Sequence, residues 1–193
     1  QVFANLLMPE GTPEQISLFA ELARVSASAE NAALMEIAFY NIDVAHLAPR
    51  IRVPTLVLHA RHDAMCPFDE GRYMASLIPG ARFVPLESNN HVLLETEPAW
   101  TQFLSEVTNF TRTEPQPAAT TLPVAEVIAP STAAASQREW EQSIHFCQSS
   151  DGVRLAYATI GSGPPLVKAA NWLSHLEYVW QSPIWRHWLI GLA

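Results

Sequence analysis

The sequence predicts an α/β protein built on a parallel sheet, and three observations carry that prediction. Val53-Pro54-Thr55-Leu56-Val57-Leu58-His59-Ala60 is a continuous apolar run, not an alternating one. Strands buried on both faces of a parallel sheet have that composition. A helical stretch from Phe68 to Leu77 separates this run from a second strand over Ala81–Leu86. A further helix over Pro98–Phe110 then completes a strand, helix, strand, helix alternation, the pattern of a parallel sheet covered on both faces.

The elements before the sheet are helical. Thr12-Pro13-Glu14-Gln15 is a helix start: Thr12 can cap, Pro13 suits the first helical position, and Gln15 can reach back to close a capping box. Leu18, Leu22 and Val25 recur at helical spacing with Phe19 beside them. A second helix begins at Ser28 and carries Ala32, Met35, Ile37 and Phe39, spread too widely for one stripe, which predicts burial on several sides. A short turn from Asp43 to Leu47 ends before Pro49.

Composition changes at Thr111. From there to about Ser143, four prolines (Pro115, Pro117, Pro123, Pro130) punctuate a stretch rich in Ala and Thr, which reads as a partly extended linker. Beyond it, Ile144–Cys147 and Val153–Thr159 read as strands joined by Ser149-Ser150-Asp151-Gly152, where Asp-Gly signals a hairpin. Gly161-Ser162-Gly163-Pro164-Pro165 makes a turn, Leu166–Ala170 a short strand, and Asn171-Trp172 a loop. From Pro183 the pattern is helical, with Trp185, Trp188 and Leu189 on one side.

With 49% hydrophobic and 16% charged residues, the chain has the makings of a globular core. Its net charge of -8, with no cluster of Lys or Arg, argues against nucleic acid or an anionic membrane surface as partner of this segment. Two cysteines, Cys66 and Cys147, are too few for a disulfide framework, so a reduced, cytoplasmic setting is expected. No apolar run approaches the roughly 18 to 20 residues needed to cross a bilayer.

Two stretches together resemble the α/β-hydrolase superfamily. Val53 to Asp63, then Ile78-Pro79-Gly80-Ala81, then Ser88-Asn89-Asn90-His91 resembles the closing third of such an enzyme, in which one strand delivers an acidic residue and a later loop delivers histidine. Ser150-Asp151-Gly152-Val153-Arg154-Leu155-Ala156-Tyr157, followed by Gly161 to Val167, is similar to the opening of the same fold. Closing elements therefore precede opening ones. The resemblance implies an incomplete α/β-hydrolase fold: residues 1–110 the C-terminal portion of one domain, 111–142 the linker, and 143–193 the N-terminal portion of a second domain. A circular permutant is the alternative arrangement. Gln1 is not Met and the helical pattern ending at Ala193 has no cap, which favours a fragment across a tandem junction. Lys168-Ala169-Ala170-Asn171-Trp172, where most members have His-Gly, looks like hydrolase domains attached to bacterial cyclases or transcription regulators. A parent of that kind would carry a cyclase or DNA-binding domain.

By position, the resemblance makes Asp63 the acid and His91 the base of a nucleophile-His-acid triad. Each lies just past a predicted parallel strand, at the carboxyl edge where α/β sheets build sites. Histidine, with an ordinary pKa of about 6.5, suits proton transfer near neutrality. The plainer role for Asp63 is a carboxylate capping the next helix. Asn171 or Trp172 would supply the oxyanion-hole N–H, although Asn171 also suits a turn. Residues from Gly11 to Phe39 occupy the place of the family's cap. No Gly-x-Ser-x-Gly occurs, so the nucleophile is not visible, and this chain alone is expected to be inactive.

Other candidates read as structural. His59 and His62 lack the spacing of a zinc pair on a helix and have no obvious third ligand, so no metal is expected. His175 and His187 sit among tryptophans as packing or surface residues. Gly161-Ser162-Gly163 lacks the rest of a nucleotide fingerprint and is a turn. The implied activity is hydrolysis of an ester, lactone or related carbonyl compound, without cofactor. An Asp nucleophile would shift it to epoxide or carbon–halogen hydrolysis. The contrasting expectation is a sensory module that binds a small molecule without turnover.

Overall fold

A computed structural model describes residues 2–113, 140–169 and 174–193. The protein is a mixed α/β chain, and among the described residues its strands form two separate two-stranded sheets. In chain order the elements are α1 (Val2–Leu7), α2 (Pro13–Ser26), α3 (Ala29–Tyr40), a 3-10 segment (Ala45–Arg50), β1 (Leu56–Ala60), α4 (Phe68–Leu77), β2 (Arg82–Leu86) and α5 (Pro98–Thr113). The hairpin strands β3 (Ser143–Gln148) and β4 (Arg154–Thr159) follow, then α6 (Leu176–Gln181) and α7 (Arg186–Leu192). No described helix is long and apolar enough to cross a membrane.

Local chemistry starts the helices where the sequence places them. Gln15 N–H donates to Thr12 Oγ1 (3.3 Å) while Thr12 N–H donates to Gln15 Oε1 (2.9 Å), a closed capping box. Ser28 caps α3 by accepting from Asn31 N–H. The apolar stripe of α2 differs from expectation: Ile16, Phe19 and Leu22 are buried, whereas Val25 is exposed.

β1 and β2 pair in parallel, Leu56 opposite Arg82 through Ala60 opposite Leu86. The expected cover on both faces is incomplete, because only Val57, Ala60 and Leu86 of the ten strand residues are buried. The main core lies beside this pair. Leu7, Met8, Phe19, Leu22, Val92 and Leu94 pack there with Ile184 and Trp185. Burying each such side chain contributes about 1.5–3 kcal/mol. A second cluster joins Leu86, Leu93, Ala99 and Trp100, with Trp188 against it. The chain end is thus built into the core of residues 1–110. Two bonds fasten it: His187 Nε2 and Trp188 Nε1 both donate to the Leu93 carbonyl oxygen, each at 3.1 Å.

α3 was expected to be buried on several sides, but none of its residues is buried, and Ile37 (60%) and Tyr40 (88%) stand exposed. Its apolar character finds no covering element among the described residues. Leu166–Ala169 form no strand, since no described neighbour offers a ladder to pair with. Ala170, which ended that expected strand, lies outside the described residues. Helices α1 and α6, six residues each, are additional to those expected. The Asp-Gly hairpin forms as expected: β3 and β4 pair antiparallel, and Gly152 takes φ 89°. Most of the linker, residues 114–139, lies outside the described residues.

Candidate functional site

Parallel pairing sends the loops after β1 and β2 out of the same sheet edge, the one where α/β proteins place ligands. The loops are tied together directly. Arg61 N–H donates to Leu86 O (2.9 Å), and His62 N–H to Ser88 O (3.1 Å). Asp63 and His91 are carried by these loops, and the structure brings them together: His91 Nδ1 lies 2.7 Å from Asp63 Oδ2.

Each partner is held before it reaches the other. The Asp63 side chain is 4% exposed, and its Oδ1 accepts from Met65 N–H (2.8 Å) and Cys66 N–H (2.9 Å). Burial works against its charge, but the bonds from His91, Cys66 and Met65 and the charge of His91 outweigh it, so the carboxyl sits below the usual carboxylate range. Asp63 thus caps the turn over Met65 and Cys66, not the next helix as its plainer reading had it: α4 begins after Pro67 with no side-chain cap. His59, from β1, braces the same loop: its Nε2 donates to Cys66 O (2.9 Å) and lies 3.8 Å from Asp63 Oδ2.

His91 is positioned through its backbone. His91 N–H and Val92 N–H both donate to Leu7 O, at 2.9 and 3.1 Å, so α1 hands its terminal carbonyl to the histidine loop. The residue before His91, Asn90, is fully buried and locked in place. Its Oδ1 accepts from Glu10 N–H (3.1 Å), and its Nδ2 donates to Glu10 Oε2 (3.3 Å) and Glu97 Oε1 (3.2 Å). Buried carboxamides need such partners.

With Nδ1 committed to Asp63, the imidazole can present Nε2 as a base. The histidine lies on the wall of a cavity of about 580 Å³ whose lining includes the aromatic side chains of Phe3, Phe19, Phe39, Tyr40, Trp185 and Trp188. Cys66, Lys168 and Glu36 add polar groups to the same wall. That volume falls in the range of small-molecule pockets. Burial, with the Asp63 and Glu70 charges, pushes the Cys66 thiol up, which disfavours a ready thiolate. Lys168, whose ammonium lies 5.6 Å from the Trp185 ring centre, is shifted down by burial.

Asn171 and Trp172, the expected oxyanion donors, lie outside the described residues. His62 lies in a separate small hollow with Glu10 and Glu87. His175 caps α6 by accepting from Tyr178 N–H, and His187 is buried in the core. Sequence reasoning gave no role to Asn90, Cys66 or Leu7. Asn90 and Cys66 are one and three residues from the expected pair, which was the available signal; the Leu7 carbonyl left none. Neither a protein-family model nor a solved structure matches this chain.

Proposed function

We propose that this chain carries the acid–base half of a hydrolytic centre of the α/β-hydrolase kind, with a small carbonyl compound such as an ester or lactone as substrate. One observation supports it above all: the imidazole of His91, bonded to a buried carboxylate, stands on the wall of an aromatic cavity. In this reading Asp63 fixes the tautomer with the proton on Nδ1 and stabilises the cation formed later. His91 Nε2 takes the proton of an attacking hydroxyl and returns it to the leaving group. General acid–base transfer of this kind contributes about 10²- to 10⁴-fold to rate. The aromatic wall would hold the apolar part of the substrate and exclude water. The order of elements, closing before opening, leaves the nucleophile to a segment other than this one, and the packing of Ile184 and Trp185 into the core of residues 1–110 favours the permuted arrangement over two separate tandem domains.

The test joins this chain to a segment bearing a nucleophile elbow and measures ester turnover. Turnover should fall by roughly 10²- to 10⁴-fold in His91→Ala. The chain alone should stay unlabelled by a fluorophosphonate. Turnover indifferent to His91 would remove the proposal. A second reading, a sensory module, is favoured by the aromatic cavity together with the missing Gly-x-Ser-x-Gly. Tight binding of an aromatic ester without cleavage in the joined protein would select it.

A further inference from the structure

Asp63, Cys66 and His91 each offer one ligand atom, and these atoms all lie within 4.8 Å of one another. Four-coordinate zinc places carboxylate, thiolate and imidazole donors about 3.3 to 3.6 Å apart, so the trio needs only side-chain adjustment to close on an ion. Two features of the loop favour it. Asp63 Oδ1 is anchored by Met65 and Cys66 N–H, which leaves the carboxylate aimed and Cys66 held beside it. The Asp63 and Glu70 charges that burden a thiolate become attractive once a dication replaces the thiol proton.

We infer that Asp63, Cys66 and His91 form a binding site for a thiophilic divalent ion such as Zn²⁺, and that the ion silences the histidine base. Binding deprotonates the Cys66 thiol and releases that proton to solvent, with no redox change. If Nδ1 becomes the ligand, the bond to Asp63 is lost; if Nε2 does, the lone pair aimed at substrate is used. Either way the imidazole no longer accepts a proton. Three protein donors leave a fourth position for water or a ligand entering from the cavity. The inhibitory consequence rests on the proposed role of His91; the binding itself does not.

Titration of the chain with Co²⁺ tests the site without any turnover assay. The expected result is one Co²⁺ per chain with a sulfur-to-cobalt charge-transfer band in the near ultraviolet, bleached by added Zn²⁺. Cys66→Ser should remove the band, and Cys147→Ser, in the exposed hairpin, should leave it. His91→Ala and Asp63→Asn should weaken binding by at least the 10- to 100-fold typical of groups that support a metal site. No band in the wild-type chain, or a band that survives Cys66→Ser, overturns the inference. Circular dichroism of Cys66→Ser matching the wild type ensures that a lost band reports a lost ligand. A cobalt band alongside turnover indifferent to His91 would keep the metal site and remove the hydrolase reading.

Discussion

Gly71 in α4 touches the imidazole of His59 in β1 so closely that a Cβ at this position would lie 2.8 Å from His59 Cγ and 3.0 Å from its Cβ. The helix can lie this close to the strand only because residue 71 has no side chain. His59 cannot swing away freely, since its Nε2 holds the Cys66 carbonyl and thereby the Asp63 loop.

Gly71→Ala should therefore destabilise the protein despite alanine's better helix propensity. Gly to Ala inside a helix gains roughly 0.5–1 kcal/mol, whereas forcing a methyl into a packed contact costs typically 1–3 kcal/mol. Urea unfolding should show a net loss of about 1–2 kcal/mol. Equal or greater stability would mean that α4 moves off β1 without penalty.

The parts legible from the sequence are those that local chemistry decides. Thr12 and Gln15 close their box within one helical turn, and Asp151-Gly152 turns the hairpin by itself. The apolar run ending at Ala60 does form a parallel strand, and the pairing of β1 with β2 puts Asp63 beside His91. What stayed illegible depends on distant partners. The apolar residues of α3 spread around the helix, a pattern that reads as buried, yet burial needs a covering element that local sequence cannot supply. Leu166 to Ala169 have a strand's residues without a neighbouring ladder. α1 is too short for periodicity to register, although its Leu7 carbonyl holds the His91 backbone. Cys66 gained significance only when the fold brought it near His91.

Asp63 makes stability depend on acid pH, with a sign set by its lowered pKa. Its folded value lies below the ordinary 3.8, so the stabilisation is present above that ordinary value and disappears as pH falls through the folded one. At neutral pH, Asp63→Asn should cost about 1–3 kcal/mol, since the charged partner of His91 and of two backbone donors is lost. The difference between wild type and variant should shrink as pH drops below about 4. Unfolding midpoints measured at pH 7, 4 and 2.5 check this, and a difference that stays constant with pH would contradict it.

A second acid-sensitive fastening lies in the chain end. His187 is 8% exposed, donates through Nε2 to Leu93 O, and packs at 4.6 Å from the Trp100 ring centre. Burial lowers its pKa from the ordinary 6.5, outweighing the Leu93 and Pro183 carbonyls and the charges of Glu95 and Glu97 that act the other way. The unfolded form then takes up a proton more readily than the folded one. Stability from His187 is full above about pH 6.5 and declines as pH falls through the lower folded value. The release should show first where His187 and Trp188 share the Leu93 carbonyl, freeing Trp185 and Trp188 from the core. Tryptophan emission should redden as pH is lowered from about 6.5 through the folded value in the wild type. His187→Gln, which keeps a donor but does not titrate, should hold its emission constant over that interval, and an identical shift in both proteins would place the sensitivity elsewhere.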